Sequence, residues 1–135
     1  MVISCLNRRG IVMTNVEVVL RLYEEVFNNK DLSNLDAYMC DDYMQHNPTV
    51  KDGKEGFKEF LDFFFTMDPH MEILKIFENA EDEVAVFFKC TFRVNGVINK
   101  VVDIYRLSEG KLAEHWDVVE HDVKEFSEVN GRSLF

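Results

Sequence analysis

Val101–Asp122 reads VVDIYRLSEGKLAEHWDVVEHD, two runs rich in Val, Ile, Tyr and Trp on either side of Ser-Glu-Gly. β-branched and aromatic residues flanking a short Gly-containing turn predict an antiparallel hairpin. If the loop is the three residues Ser108 to Gly110, Leu107 pairs with Lys111, Arg106 with Leu112, Tyr105 with Ala113, Asp103 with His115 and Val101 with Asp117. Alternation then puts Val101, Asp103, Tyr105, Ala113, His115 and Asp117 on one face. A four-residue loop instead brings Trp116 opposite Asp103 and sends His115 to the other side, because a one-residue slip inverts a strand. Both registers are open at this level.

Outward from the hairpin, MEILKIFEN (71–79), EVAVFFKCTFRV (83–94), VINKVVDIYRL (97–107) and KLAEHWDVVEHDV (111–123) form four strand candidates. They are separated by Ala-Glu-Asp, Asn-Gly and Ser-Glu-Gly, and Asn95-Gly96 between Val94 and Val97 is the strongest turn signal. The period before residue 69 is helical. Thr14 and Glu17 form a capping box for a first helix over 15–28, with Val16, Val19, Leu20, Tyr23, Val26 and Phe27 at helical spacing. Ser33 caps a short NLDAYM helix. Tyr43 to Gly53, YMQHNPTVKDG, reads as an extended piece stopped by Pro48. Asp52 and Glu55 cap a third helix whose Phe57, Phe60, Leu61, Phe64 and Phe65 share a broad apolar face, despite Gly56. Helices followed by a meander predict an α+β domain with the helices on the concave face of a curved sheet.

The bulk numbers narrow the partners. At 135 residues with 47% apolar content the chain fits a single domain with its own core. A formal charge of -10 opposes binding to nucleic acid or an anionic membrane. Cys5, Cys40 and Cys90 show no paired spacing, and the first thirteen residues lack a long apolar run, so a reduced cytoplasmic protein without a membrane span is expected. The expected division is a flexible leader over 1–13, one domain over 14–123 and a tail over 124–135.

YMQHNPTVKDG together with Val101 to Val119 resembles the SnoaL-like branch of the NTF2-like superfamily, which includes polyketide cyclases. The resemblance implies a cone-shaped α+β barrel, with N-terminal helices packed on a curved antiparallel or mixed sheet. It also implies a small apolar molecule in the cone and a homodimer, with Trp116 facing away from the cavity into the interface. Asp103 resembles the buried acid that ketosteroid isomerase relatives keep protonated to steady an enolate, and Val101, Val102 and Ile104 suit that state. Asn47 stands where those relatives carry the Asp base, which argues against simple isomerase chemistry. Asp117 resembles the acid/base Asp of the polyketide cyclases.

On that reading Asp117, Asp103 and His115 are the catalytic candidates, and Tyr105, Gln45, His46, Asn47 and Tyr23 contact the substrate, Tyr23 at the cavity mouth. Asp117, oriented by His115, removes a proton alpha to a carbonyl; neutral Asp103, with Tyr105 or Gln45, steadies the enolate before aldol closure or a proton shift. Adjacent strand residues point opposite ways, so His46 and Asn47 do not both face one cavity unless the chain bends at Pro48. Zinc on His46, His115 and Asp103 has no helical or knuckle spacing behind it, and no metal or other cofactor is expected. The alternative function is a non-catalytic domain that holds a small ligand or dimerises. In that case the phenylalanines fill the cone.

Overall fold

The computed structural model describes Gly10 and residues 12–135, so Cys5 and most of the expected leader lie outside the described residues. Met13, at the end of that leader, is buried in the core. The Thr14–Glu17 capping box forms in both directions and starts α1 (Asn15–Arg21), which runs on as a π-helical turn, Leu22–Asn28. That turn buries Leu22, Tyr23, Val26 and Phe27. α2 (Leu35–Tyr38) is one turn long; its cap position is Asn34, and Ser33 instead donates its backbone N–H to Asp31.

β1 (Met39–Gln45) starts inside the segment expected to be helical and ends before Pro48. α3 (Gly53–Phe64) continues as a 3-10 turn, Phe65–Met67. Asp52 holds its cap position, but its carboxylate accepts from Gln45 N–H rather than from the helix. β2 (Pro69–Glu78), β3 (Glu83–Phe92), β4 (Val97–Ser108) and β5 (Lys111–Glu120) follow as an antiparallel meander. The sheet order is β1-β5-β4-β3-β2, with β1 parallel to β5, making the sheet mixed. Phe92 pairs with Val97, so Asn95-Gly96 closes a four-residue loop rather than a two-residue turn.

The hairpin register differs from both expectations. Ser108 pairs with Lys111 across a two-residue turn in which Glu109 and Gly110 both have positive φ, 51° and 78°, the backbone a tight hairpin requires. Leu107 pairs with Leu112 and Arg106 with Glu114, leaving Ala113 as a bulge. The bulge resets the alternation. Leu112 points inward opposite Leu107, and beyond the bulge His115 points inward opposite Tyr105, Asp117 opposite Asp103 and Val119 opposite Val101. Four of the five residues expected to share a face with Asp103 (Val101, Tyr105, His115 and Asp117) therefore do so through a ladder two residues out of step. Trp116 lies on the outer face opposite Ile104.

The inner face and the helices enclose the core, from Val18, Val19 and Leu22 on α1 and its continuation to Val84 and Val86 on β3. A second shift at Leu74 bends β2 around it. Asn28 donates to and accepts from the Met71 backbone, occupying the exposed edge of β2. Lys54 on α3 is buried and bridges Asp36 and Asp41, tying α3 to α2 and β1. The tail returns over the outer face, where Phe135 stacks on Phe87 at 6.4 Å and Lys89 pairs with Glu125.

Candidate functional site

The helices do not fill the cone. A cavity of about 460 Å³ opens between α3 and the inner sheet face, walled by seven phenylalanines, among them Phe57, Phe60 and Phe64 from α3 and Phe88 and Phe92 from β3. Phe87, next to Phe88 in the chain, lies on the outer face, because it pairs with Val102 in the alternate register row. Asn95, Asn99, His121 and Asp122 belong to the lining, and Asp103, Tyr105, His115 and Asp117 make one polar end. Buried Cys90 is also part of the wall, its thiol pushed up to about 12 by burial and then by the Asp103 charge.

At the polar end the side chains of Asp103, His115 and Asp117 are only 8%, 9% and 14% exposed. Tyr23 and Tyr105 donate their hydroxyls to Asp103 Oδ2, Tyr105 at 3.1 Å, and the two hydroxyls are 3.1 Å apart. Both phenols are held well above their ordinary value, first by burial and then by the Asp103 charge. Asp103 Oδ1 lies 3.0 Å from His115 Nε2. On the far side of the ring, His115 Nδ1 is 2.6 Å from Gln45 Oε1, which also accepts the Asn47 backbone N–H at 2.9 Å. A backbone N–H can only donate, so it fixes the oxygen of the Gln45 amide in place and requires the hydrogen on His115 Nδ1.

Asp117 sits beside this chain, its Oδ2 4.0 Å from His115 Nε2. Asn47 Nδ2 donates to the same oxygen at 2.7 Å. The Asn47 amide is itself oriented, because its Oδ1 accepts Thr49 N–H and Thr49 Oγ1–H. Asp117 Oδ1 has no hydrogen-bond partner among the described residues. One carboxylate oxygen is thus pinned and the other open at the end of an apolar cavity.

The sequence candidates divide accordingly. Asp103, His115, Asp117, Tyr105, Gln45 and Asn47 come together on the cavity lining. Tyr23 does not reach the mouth: the π-helical turn places it beneath Asp103, behind the lining. Tyr105 has its hydroxyl taken up by Asp103 and Tyr23 instead of standing open to a ligand. His46 leaves the site altogether. It follows Gln45 in an extended segment and so points to the outer face, where it stacks on Trp116 at 4.8 Å and 4° and bonds Glu114 at 2.7 Å. Zinc on His46, His115 and Asp103 is therefore not assembled.

Asp103, His115 and Asp117 do offer three ligand atoms within 4.8 Å of one another. Asp103 and His115 there are at hydrogen-bond spacing, so a divalent ion at that point would have to displace the proton between them. Both oxygens of Asp103 are engaged by protein groups, so any proton it carries at Oδ1 is given to His115 rather than to a ligand.

Tyr43 was missed by the sequence reading. It lines the cavity, its ring stacks toward His115 at 6.3 Å, and its hydroxyl has no hydrogen-bond partner among the described residues. Burial, then Asp103 and Asp117, hold that phenol well above its ordinary value, keeping it a donor. Alternation from Gln45 and Asn47 back along β1 was the available signal. Gly56 was also underread: a Cβ there would lie 2.9 Å from Lys51 Cβ and closer still to the Lys51 carbonyl. The residue lets the loop carrying Asn47 lie against α3.

Residues 19–115 match the model of the SnoaL-like domain family. The fold is similar to that of IdmH, a proposed polyketide cyclase from Streptomyces antibioticus (21% identity, 80% of this chain and 93% of that one, TM-score 0.70). It is also similar to a SnoaL-like polyketide cyclase from Agrobacterium tumefaciens (21% identity, 81% and 93% covered, TM-score 0.65). A third similar structure is an NTF2-like protein of unknown function from Cytophaga hutchinsonii (16% identity, 80% and 91% covered, TM-score 0.66). No curated protein sequence matches the chain.

Proposed function

Because the chain belongs to the SnoaL-like domain family, we propose that its cavity is the active site of a cofactor-free enzyme acting on a small apolar carbonyl compound, as an aldol-type cyclase or isomerase. The observation that carries this reading is Asp117, with Oδ2 held by Asn47 and Oδ1 open to the apolar space. A carboxylate so held has little freedom to lose when it takes a proton alpha to a carbonyl. His115, bonded to Asp103 over 3.0 Å, stands beside Asp117. The Tyr43 hydroxyl and the Gln45 amide nitrogen, neither with a partner among the described residues, are the donors for the enolate oxygen. Tyr23 and Tyr105 orient Asp103. Walls of phenylalanine exclude water and strengthen each of these contacts.

The test is alpha-proton exchange in D2O, followed by NMR across a panel of cyclic and linear enones. Asp117→Asn should slow exchange by at least about 100-fold. Equal exchange by wild type and variant would remove Asp117 as the base and the reading with it.

The outer sheet face supports a homodimer. Phe77, Ala85, Ile104 and Trp116 form one row across four strands, and Val118 beside them is 72% exposed. Sedimentation of wild type and Val118→Lys tests this, with a dimer expected only for wild type. Among the described residues no helix is long and apolar enough to cross a membrane, and Cys40 and Cys90 are free thiols, which supports a reducing, cytoplasmic setting.

A further inference from the structure

The cavity lining is as informative for the charges it omits as for those it holds. Asp103, Asp117 and Asp122 line it, and no Lys or Arg among the described residues does, although the chain has 15 of them. Of the two imidazoles on the lining, His121 and His115, the one at the polar end is His115, and it is held by Asp103 at 3.0 Å, against 4.0 Å to Asp117. The Asp117 charge is met chiefly by the Asn47 amide, a neutral donor. A carboxylate or phosphate entering this space would lose its hydration and meet like charge, with no guanidinium or ammonium to pair with. An ammonium would meet an open carboxylate oxygen in a cavity lined by aromatic residues, two features that attract cations independently.

Resting on the reading of the cavity as a small-molecule site, we propose that it selects by charge: it takes uncharged and cationic ring compounds, excludes anionic ones, and seats an ammonium on Asp117 Oδ1. An ammonium there occupies the proton-accepting oxygen. Cationic ring compounds therefore block the proton transfer proposed above, and the natural carbonyl ligand carries no carboxylate or phosphate at the end that enters.

Three anthracenes with one ring system test this: 9-anthrylmethylamine, 9-anthrylmethanol and anthracene-9-carboxylate, titrated with the full chain and followed by the anisotropy of the ring fluorescence. Salt of roughly 0.15 M screens diffuse attraction to the surface. The amine should bind at least about ten-fold more tightly than the alcohol, and the carboxylate at least about ten-fold more weakly, a step of about 1.4 kcal/mol each. Asp117→Asn should shrink the amine's advantage to under about three-fold. A carboxylate that matches the alcohol, an amine that does not exceed it, or an advantage untouched by the substitution overturns the proposal. The wild-type series stands without the variant, so a folding defect in Asp117→Asn does not blunt it. Charge order without alpha-proton exchange would remove the enzymatic reading and leave this one; exchange without charge order would do the reverse.

Discussion

His46 and His115 are brought side by side by the parallel pairing of β1 with β5, yet they occupy opposite worlds. The backbone N–H of His46 donates to the His115 carbonyl at 3.0 Å, while their rings leave the sheet on opposite faces. His115 is buried and held at both nitrogens, by Gln45 and Asp103. His46 is 45% exposed, lying flat on Trp116 with one nitrogen on a carboxylate. The residue type is the same; the face decides whether an imidazole belongs to a buried hydrogen-bonded chain or to a solvated stack.

Substitutions on the two faces can break or sharpen that contrast. The largest effect should come from Asp103→Ala, which leaves two phenols and an imidazole without their common acceptor. We expect a loss of about 3 kcal/mol in denaturant unfolding; a loss under about 1 kcal/mol would mean the inner chain is not the structural keystone described. Gly56→Ala comes next, at about 2 kcal/mol, because the Lys51 backbone must retreat. It should also slow any alpha-proton exchange by displacing the loop that carries Asn47, and unfolding and exchange measured on the same sample check both.

Tyr23→Phe removes one hydrogen bond to a charged acceptor and should cost about 1.5 kcal/mol with the fold unchanged by circular dichroism. The same phenols set an alkaline limit. Tyr23, Tyr43 and Tyr105 are raised by burial above the value they have in the unfolded chain, about 10. The native state therefore keeps protons that the unfolded state releases, so this contribution is complete below about pH 10 and is lost as pH rises toward the folded values. Phenolate absorbance from these three of the four tyrosines should appear together with unfolding, not before it. Smallest of all, His46→Ala should change stability by at most about 0.5 kcal/mol and leave alpha-proton exchange untouched. Its partner Glu114 is lowered first by Arg106 and then by His46, so what stability that carboxylate adds is present above its unfolded value and fades as pH falls through the folded one.

The contrast between the two faces also locates what the sequence could say. Helix starts were written in Thr14 and Glu17, strand extents in the runs of Val, Ile and Phe, and the position of α3 in its spaced phenylalanines. Alternation put His115 with Asp117 on one face of their strand and His46 and Asn47 on opposite sides of theirs, but which of them would meet Asp103 depended on a register the sequence left open. The Ala113 bulge was not legible, since a bulge leaves no mark in composition and the three- and four-residue loops both looked regular. The destination of Tyr23 was equally hidden: a π-helical turn shifts the phase of a helix without altering its apolar spacing. Lys54 reads as a surface lysine until α2 and β1 are seen to bring Asp36 and Asp41 against it.

The bulge at Ala113 sets which of two different interiors β5 presents to the cavity. Were Ala113 drawn into the ladder opposite Arg106, with the turn and Leu112 in place, Glu114, Trp116 and Val118 would face the interior and His115 and Asp117 would turn out to solvent. A one-residue slip of register thus separates a pocket that ends in two carboxylates and an imidazole from one closed by an indole. What the cavity can bind is therefore set by a backbone irregularity at a residue whose own side chain is a single methyl.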